Sequence, residues 1–283
     1  MKRVAMIGSP EKTAVAETMK RAAAWLEKRA ALVYCEQTYD ASPVLALNPD
    51  FLVVLGGDGT LIAAVHSLRD RQIPIVGINL GKLGFLAEFT IDQLETNGDF
   101  LFRDALPVTR RVLLNVRFER SGSPAVDTPA LNDCVILAGQ PFRMIDLALE
   151  IDGDALAEVR GDGLIISTAS GSTAHNLAAG GPILEPTAEL VVMTSICPHT
   201  LTFRPLVIAA NRRIVITAKR CNEGTTAVVD GRSSRRIASG DRIIVNRFNA
   251  DFLLIRNPQR SEWFSLRNKL LWGRDPRSGG VPQ

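Results

Sequence analysis

Aromatic residues are scarce: eleven Phe, three Trp and two Tyr make up 6% of 283 residues. Stacking platforms for single-stranded nucleic acid need repeated aromatic faces, so this shortage argues against them. Charge of one sign is also missing, since 33 Lys and Arg are set against 30 Asp and Glu for a formal +3. Such a balance permits an anionic substrate but falls well below the footprint of a nucleic-acid binder. The three histidines, His66, His175 and His199, show no HxxxH or HExxH spacing, which excludes the usual histidine metal sites. His66 reads instead as a helix-surface or core residue. Cys35, Cys134, Cys197 and Cys221 form no CxxC pair, so neither a zinc knuckle nor a thioredoxin-like motif is present. They read as four buried, reduced thiols. No apolar run approaches the ~18 residues of a membrane span, and the stretch after Lys2 and Arg3 is too short for a signal h-region. These absences describe a soluble, cytoplasmic protein with no membrane or nucleic-acid partner.

Three catalytic signatures are missing as well. Nothing matches the GxxxxGK[ST] P-loop, and the dinucleotide fingerprint fails because Gly57 and Gly59 are followed by Ile62 where the third glycine belongs. Ser170-Gly171-Ser172 is the nearest approach to a Gly-x-Ser-x-Gly elbow and lacks its strand–nucleophile–helix register.

What is present suffices for a folded protein of two domains. The hydrophobic content is 46%, and single cores stop growing near roughly 250 to 300 residues. Strands are expected at Val4 to Ile7, Ala31 to Cys35, Phe51 to Leu55 and Ile73 to Ile78. Amphipathic helices are expected at Thr13 to Lys28, with Val15, Met19, Ala22, Trp25 and Leu26 inward, and at Gly59 to Leu68. Short apolar runs without alternation imply a parallel sheet covered on both faces, an α/β domain of Rossmann-like type. From Pro107 the pattern changes to short apolar or alternating runs, including Val112 to Phe118, Asp133 to Leu137, Ile145 to Ile151, Leu164 to Ser167, Leu206 to Ala209, Ile214 to Ala218, Thr225 to Val229 and Arg242 to Val245. Gly, Pro, Asn and Asp punctuate them, which argues an all-β sandwich. Ser172 to Ala179 is expected to interrupt it as a helix. Trp263 to Trp272 carries a last helical pattern, expected to return to the first domain. The domains are therefore 1–106, completed by about 250–275, and 107–249, with 276–283 as a loose tail.

The string FLVVLGGDGT at 51–60 holds the most informative contradiction. Glycines there let backbone N–H groups turn toward phosphate, yet Asp58 between Gly57 and Gly59 should repel that ligand. The conflict resolves if a divalent metal screens the phosphates, or if Asp58 takes a proton from an attacking hydroxyl. The tripeptide Asp58-Gly59-Thr60 alone reads as an ordinary turn. At the end of a parallel strand with a helix beginning at once, ligand binding becomes the better reading. A second constellation runs from Arg160-Gly161-Asp162-Gly163 through a β-run to Ser170-Gly171-Ser172-Thr173-Ala174-His175-Asn176. It offers carboxylate, hydroxyls and helix N–H groups to a polar ligand, or equally a junction whose Ser and Thr cap a helix. Asn132-Asp133 is a third, an amide and carboxylate for a nucleoside, although alone it is ordinary turn chemistry.

With these residues in view the chain resembles the NAD kinase family over nearly its whole length. The resemblance rests on GGDGTL at 56–61, GINLGKLGFLAEF at 77–89, LND at 131–133, RGDGLIISTASGSTAHNLAAGGPIL at 160–184 and PHTLTFRPLVI at 198–208. GGDGT is shared with diacylglycerol and sphingosine kinases, whereas the long block after Arg160 is specific. The resemblance implies an N-terminal α/β domain that holds the phosphate donor and a C-terminal β-sandwich that binds NAD. It implies transfer of a phosphoryl group from ATP or polyphosphate to the 2′-hydroxyl of the adenosine ribose of NAD+, with Mg2+ carried on the donor phosphates, in a homodimer or homotetramer. Asp58 would be the general base, with Gly56, Gly57, Gly59 and Thr60 about the phosphates. Asn132 and Asp133 would bind the adenosine ribose. Arg160, Asp162 and Thr173, Ala174, His175, Asn176, Leu177 and Ala178 would complete the dinucleotide shell, some of them from a neighbouring subunit, and Arg143 and Arg232 fall at contact positions that vary. His175 stands where the family usually has Tyr, a departure that touches the choice between NAD+ and NADH. Two other readings differ in chemistry. A lipid kinase needs a deep apolar pocket in place of Asn132, Asp133, Arg160 and Asp162, and a non-catalytic dinucleotide sensor gains nothing from Asp58.

Overall fold

The computed structural model describes every residue except Lys12, Lys82, Leu83, Glu262 and 274–283; the expected tail at 276–283 thus lies outside the described residues. The chain divides into two compact units. One comprises 1–67, 73–109 and 254–283, and the other 68–72 and 110–253.

The first unit is built on a six-stranded sheet. In chain order it contains β1 (Arg3–Gly8), α1 (Thr13–Glu27), β2 (Ala31–Gln37), β3 (Phe51–Gly56), α2 (Asp58–Leu68), β4 (Ile75–Asn79), α3 (Ile91–Asn97) and β5 (Val108–Arg111). β1, β2, β3 and β4 pair in parallel. All six residues of β3 are buried, as expected of a strand covered on both faces. Val15, Met19, Ala22, Trp25 and Leu26 of α1 are buried against this core, as their helical spacing requires. The sheet is not wholly parallel. It continues past β4 to a strand near the C-terminus and then to β5. There the Arg256 N–H donates to Pro107 O and the Thr109 hydroxyl to Leu254 O, a pairing that runs antiparallel.

The second unit is a sandwich of two six-stranded sheets. Its strands are β6 (Leu114–Glu119), β7 (Val126–Ala130), β8 (Asp133–Leu137), β9 (Ile145–Ile151), β10 (Asp154–Gly161) and β11 (Gly163–Thr168). After α4 (His175–Ala178) come β12 (Leu190–Ile196), β13 (Leu206–Ala209), β14 (Ile214–Arg220), β15 (Thr226–Val229), β16 (Ser233–Arg236) and β17 (Arg242–Arg247). One sheet has the order β10-β9-β14-β17-β6-β7 and the other β13-β12-β11-β8-β15-β16. β6 and β9 alternate buried and half-buried residues, the signature of one face on a core and one on water. Their inward side chains, among them Val116, Leu147 and Leu149, meet Ile136, Leu164 and Ile166 of the facing sheet.

β18 (Phe252–Ile255) and α5 (Phe264–Lys269) then close the chain. β18 pairs with β4, and the Lys269 ammonium lies 4.3 Å from the centre of the Phe85 ring. The C-terminal helix thus packs on the first unit, but it is shorter than the expected Trp263 to Trp272. The expected helix at Ser172 to Ala179 is likewise two pieces, a 3-10 turn at Ser170–Thr173 and α4, broken where Ala174 leaves helical geometry at φ −98°, ψ −127°. Of the cysteines only Cys134 is buried. Cys35 and Cys197 are exposed and Cys221 is half-buried, and all four are free, so the expectation of four buried thiols fails for three of them.

Candidate active site

β3 ends at Gly56, and α2 begins only one residue later with Asp58. Gly56 belongs to the scaffold, because a Cβ there would overlap the Thr60 side chain. Thr60 is itself buried, its N–H bonded to Gly57 O at 3.0 Å. Gly57 and Gly59 differ: a Cβ on either would meet nothing within 4 Å. Those two leave the approach to the loop open, which is what a backbone cradle for an anion requires.

The Asp58 carboxylate has a role that its position in sequence did not suggest. It accepts the N–H groups of three consecutive residues, Phe85 at 2.8 Å, Leu86 at 3.1 Å and Ala87 at 3.3 Å. Charge-assisted bonds of this kind are the strong ones. A Cβ at Gly84 would overlap the carboxylate, so glycine is required where the loop turns onto Asp58. The electrostatic conflict in GGDGT thus has a third resolution besides metal or proton: backbone dipoles of 85–87 offset the charge. The same loop returns to the sheet through Asn79 N–H to Phe89 O at 2.7 Å and Phe89 N–H to Gly77 O at 3.1 Å.

A second carboxylate acts in the same way in the sandwich. Asp230 accepts the N–H groups of Leu131 at 2.7 Å, Asn132 at 2.7 Å and Asp133 at 2.9 Å. It sits with Gly231 in the short connection between β15 and β16, at the centre of a turn closed by the Arg232 N–H on Val229 O at 2.9 Å, and both residues have positive φ, 52° and 66°. An Asp-Gly pair suits such a hairpin turn, because both central positions need left-handed backbone. Asp230 was missed in the sequence, although its Asp-Gly turn between two short β-runs is a legible hairpin signal.

β11 supplies the other wall. Asn132 O accepts the Thr168 N–H at 2.8 Å and the Ser167 hydroxyl at 3.2 Å, and the Thr168 hydroxyl donates to Leu131 O at 2.6 Å. A Cβ at Gly171 would overlap the Asn132 backbone. The structure therefore brings Asn132 and Asp133 together with the turn that leads to Thr173, Ala174 and His175, and with Arg232 just past Asp230. The Asn132 side chain is half-buried, and Ala174, His175, Ala178 and Arg232 are exposed. Asn176 is fully buried, however, and its amide is consumed: it donates to Ser172 O at 3.1 Å and Pro182 O at 3.0 Å and accepts the Thr194 hydroxyl at 2.7 Å. It pins α4 to β12 rather than facing a ligand, and half-buried Leu177 flanks it.

The remaining expected site residues lie elsewhere. Asp133 pairs with Ser167 at one end of the β8–β11 ladder, and Leu137 pairs with Gly163 at the other. Asp162 adjoins that far end, where its O accepts the Ala138 N–H at 2.8 Å. The span from Asp133 is about 13 Å or more at ~3.3 Å per residue. Arg160 and Arg143 are on the Asp162 side. Arg160 pairs with Asp146 at 3.0 Å and its O accepts the His199 N–H, while the Arg143 O accepts the Asn222 amide. The RGDG and PHT segments therefore meet each other, but within one chain they do not meet Asn132 and Asp133.

Family models for the ATP-NAD kinase N-terminal domain and the ATP-NAD kinase C-terminal domain match residues 16–104 and 131–257. An NAD kinase of Rhodopirellula baltica is 37% identical over 272 residues, 95% of this chain and 86% of that one. Among solved structures, an NAD kinase from Archaeoglobus fulgidus in complex with ATP is similar at a TM-score of 0.75 with 28% identity, covering 91% of this chain and 94% of that one. The yeast NADH kinase complexed with NADH shares the fold, with a TM-score of 0.84 and 22% identity over 100% of this chain and 90% of that one.

Two outcomes follow from the Asp230 clamp and its neighbour. Replacing Asp230 by Ala leaves three N–H groups without their acceptor, and urea denaturation should show a loss of about 2–4 kcal/mol. Asp133 is 5% exposed, and among the described residues no donor reaches its carboxyl. Burial first, and Asp230 second, push it up to about 7 from 3.8. The folded chain holds this proton more tightly than the unfolded one, so its contribution is full below about pH 4 and lost as pH rises through about 7. Asp133→Asn cannot ionise. Wild-type stability should fall relative to this variant between pH 4 and 8, whereas parallel urea-denaturation profiles would contradict the assignment.

Proposed function

The chain belongs to the NAD kinase family, and from that premise we propose that it phosphorylates the 2′-hydroxyl of the adenosine ribose of NAD+, giving NADP+. It is a phosphotransferase. The observation that carries the reading is the open Gly57–Gly59 cradle at the end of a buried parallel strand, with a carboxylate held rigidly beside it by three N–H groups.

In this proposal ATP, or inorganic polyphosphate, presents its terminal phosphate at Gly57 and Gly59, where backbone N–H groups and the start of α2 offset its charge. Asp58 accepts the proton of the attacking 2′-hydroxyl. Each carboxylate oxygen can take two bonds, and among the described residues Asp58 Oδ2 receives the Phe85 N–H alone, which leaves it capacity for the hydroxyl. An ordinary aspartate is a weak base, but phosphoryl transfer is largely dissociative and depends mainly on positioning. Asn132 and Asp133 bind the ribose, with Thr173, Ala174, His175 and Arg232 around the dinucleotide. Gly56, Thr60, Asn176 and Leu177 support these contacts from behind.

Among the described residues no three His, Cys, Asp or Glu side chains gather to hold a metal ion. In this proposal a divalent ion, Mg2+, would be carried on the donor phosphates and would offset their charge beside Gly57 and Gly59. The reading extends to a cytoplasmic enzyme that is a homodimer or homotetramer. Arg160 and Asp162 then serve the dinucleotide site of a second copy, which accounts for their distance from Asp133 along β11.

Incubation with NAD+, ATP and Mg2+, followed by an NADP-specific dehydrogenase, should report NADP+; diacylglycerol run in parallel should remain unphosphorylated. Absence of NADP+ across donors and metals would overturn the proposal. Asp58→Asn should lower turnover by about 10²–10⁴-fold while dinucleotide binding stays measurable by calorimetry. Mixing Asp133→Asn with Asp162→Asn should restore turnover that neither has alone; no recovery in mixed oligomers would place Asp162 outside the shared site.

A further inference from the structure

The sandwich holds a second concave feature that the proposed reaction leaves unused. A cavity of about 290 Å³ opens where β6 and β16 run out. Arg120, Arg235, Arg236 and Arg242 line it, together with Glu119 and Asp241. Four guanidiniums thus share two carboxylates.

The pairing is uneven. Arg120 is locked on Asp241 through both of its fork nitrogens and also donates to Arg236 O at 2.9 Å. Asp241 is 7% exposed and accepts the Ala238 N–H as well, so this pair is a fixed part of the wall. Arg242 reaches Glu119 at 3.4 Å. Arg235 has no carboxylate among the described residues; its guanidinium lies 5.7 Å from the centre of the Phe118 ring. Among the described residues Arg236 donates only to a backbone carbonyl, Glu223 O, at 3.4 Å. Two positive charges are left unmatched in one hollow.

The floor strengthens them. Phe118 and Ile237, 8% and 4% exposed, are core side chains that end in this cavity. An apolar floor lowers the local dielectric and focuses the field of the arginines into the opening. Guanidinium forks match phosphate oxygens in pairs. The cavity holds the volume of about ten water molecules at ~30 Å³ each, enough for a compact polyanion but not for a dinucleotide. The site is also separate from Asn132 and Asp133. Arg236 pairs with Thr226 at one end of the β15–β16 ladder, and the Asp230-Gly231 turn forms the other.

We propose that this cavity is a binding site for a compact phosphate-bearing polyanion, such as pyrophosphate or a small phosphate ester, gripped by Arg235 and Arg236 and bordered by the fixed Arg120–Asp241 pair. Titration of the full chain with sodium pyrophosphate by isothermal calorimetry tests it. The wild type is compared with the double variant Arg235→Gln/Arg236→Gln and with Arg212→Gln, an exposed arginine paired with Asp152 elsewhere on the sandwich. One pyrophosphate site should be present in the wild type and in Arg212→Gln, and be lost or weakened about tenfold or more in the double variant. All three arginines are exposed, so matching melting temperatures are expected. Should the double variant misfold, Arg235→Lys is the second test: it keeps the charge, loses the fork and should bind at intermediate strength. No binding to the wild type, or an unchanged titration in the double variant, overturns the proposal. Pyrophosphate held only at the Gly57–Gly59 cradle would give that unchanged titration.

Discussion

Three backbone N–H groups on one carboxylate, Asp58 to Phe85, Leu86 and Ala87, form the interaction on which the proposed chemistry of the first unit depends. A charge in a phosphate-attracting loop is unfavourable unless something offsets it, and here the offset is supplied by the chain itself. Hydrogen bonds to charged groups contribute roughly 1.5–3 kcal/mol each. The arrangement therefore fixes the loop after β4 and the carboxylate relative to each other, and both relative to the open Gly57–Gly59 cradle. Asp230 repeats the device in the sandwich, with the N–H groups of Leu131, Asn132 and Asp133. In both units a carboxylate shapes a loop by gathering consecutive amides, so the proposed function and the local fold share the same atoms.

The two clamps leave their neighbours in different states. Asp58 is engaged yet keeps acceptor capacity. Asp133, held by its backbone N–H, presents a carboxyl that no donor satisfies among the described residues, and its proton affinity is raised by burial and by Asp230. A ligand hydroxyl that bonds to Asp133 would relieve part of that desolvation. Asn176 shows the opposite case, a polar side chain wholly spent on Ser172, Pro182 and Thr194 and so turned from binding to support.

Much of this was legible in the sequence, for identifiable reasons. β3, β6 and β9 declare themselves through continuous or alternating burial, and α1 through its spacing. β10 hid because Asp154–Gly161 is mostly exposed and lacks alternation. β5 hid because a four-residue edge strand carries too little pattern to be read. α3 did have a signal, the capping box of Thr90 and Gln93. The proposed role of Asp58 was suggested by its glycines, but its clamp could not be, because the partners are backbone amides 27 to 29 residues away and amides have no sequence identity. The separation of Asp162 from Asp133 was equally hidden, since it depends on the register of β8 with β11.

In the proposed reaction the geometry of the Asp58 carboxylate, set by the 85–87 amides, governs phosphoryl transfer. Gly84→Ala tests this most directly, because its Cβ would overlap the Asp58 carboxylate and push the clamp apart, whereas the proposed ribose ligands Asn132 and Asp133 belong to the other unit. Single-turnover NADP+ formation by this variant should fall about a hundredfold or more, with NAD+ affinity by calorimetry close to wild type. Turnover near the wild-type rate in a folded Gly84→Ala protein would contradict the account.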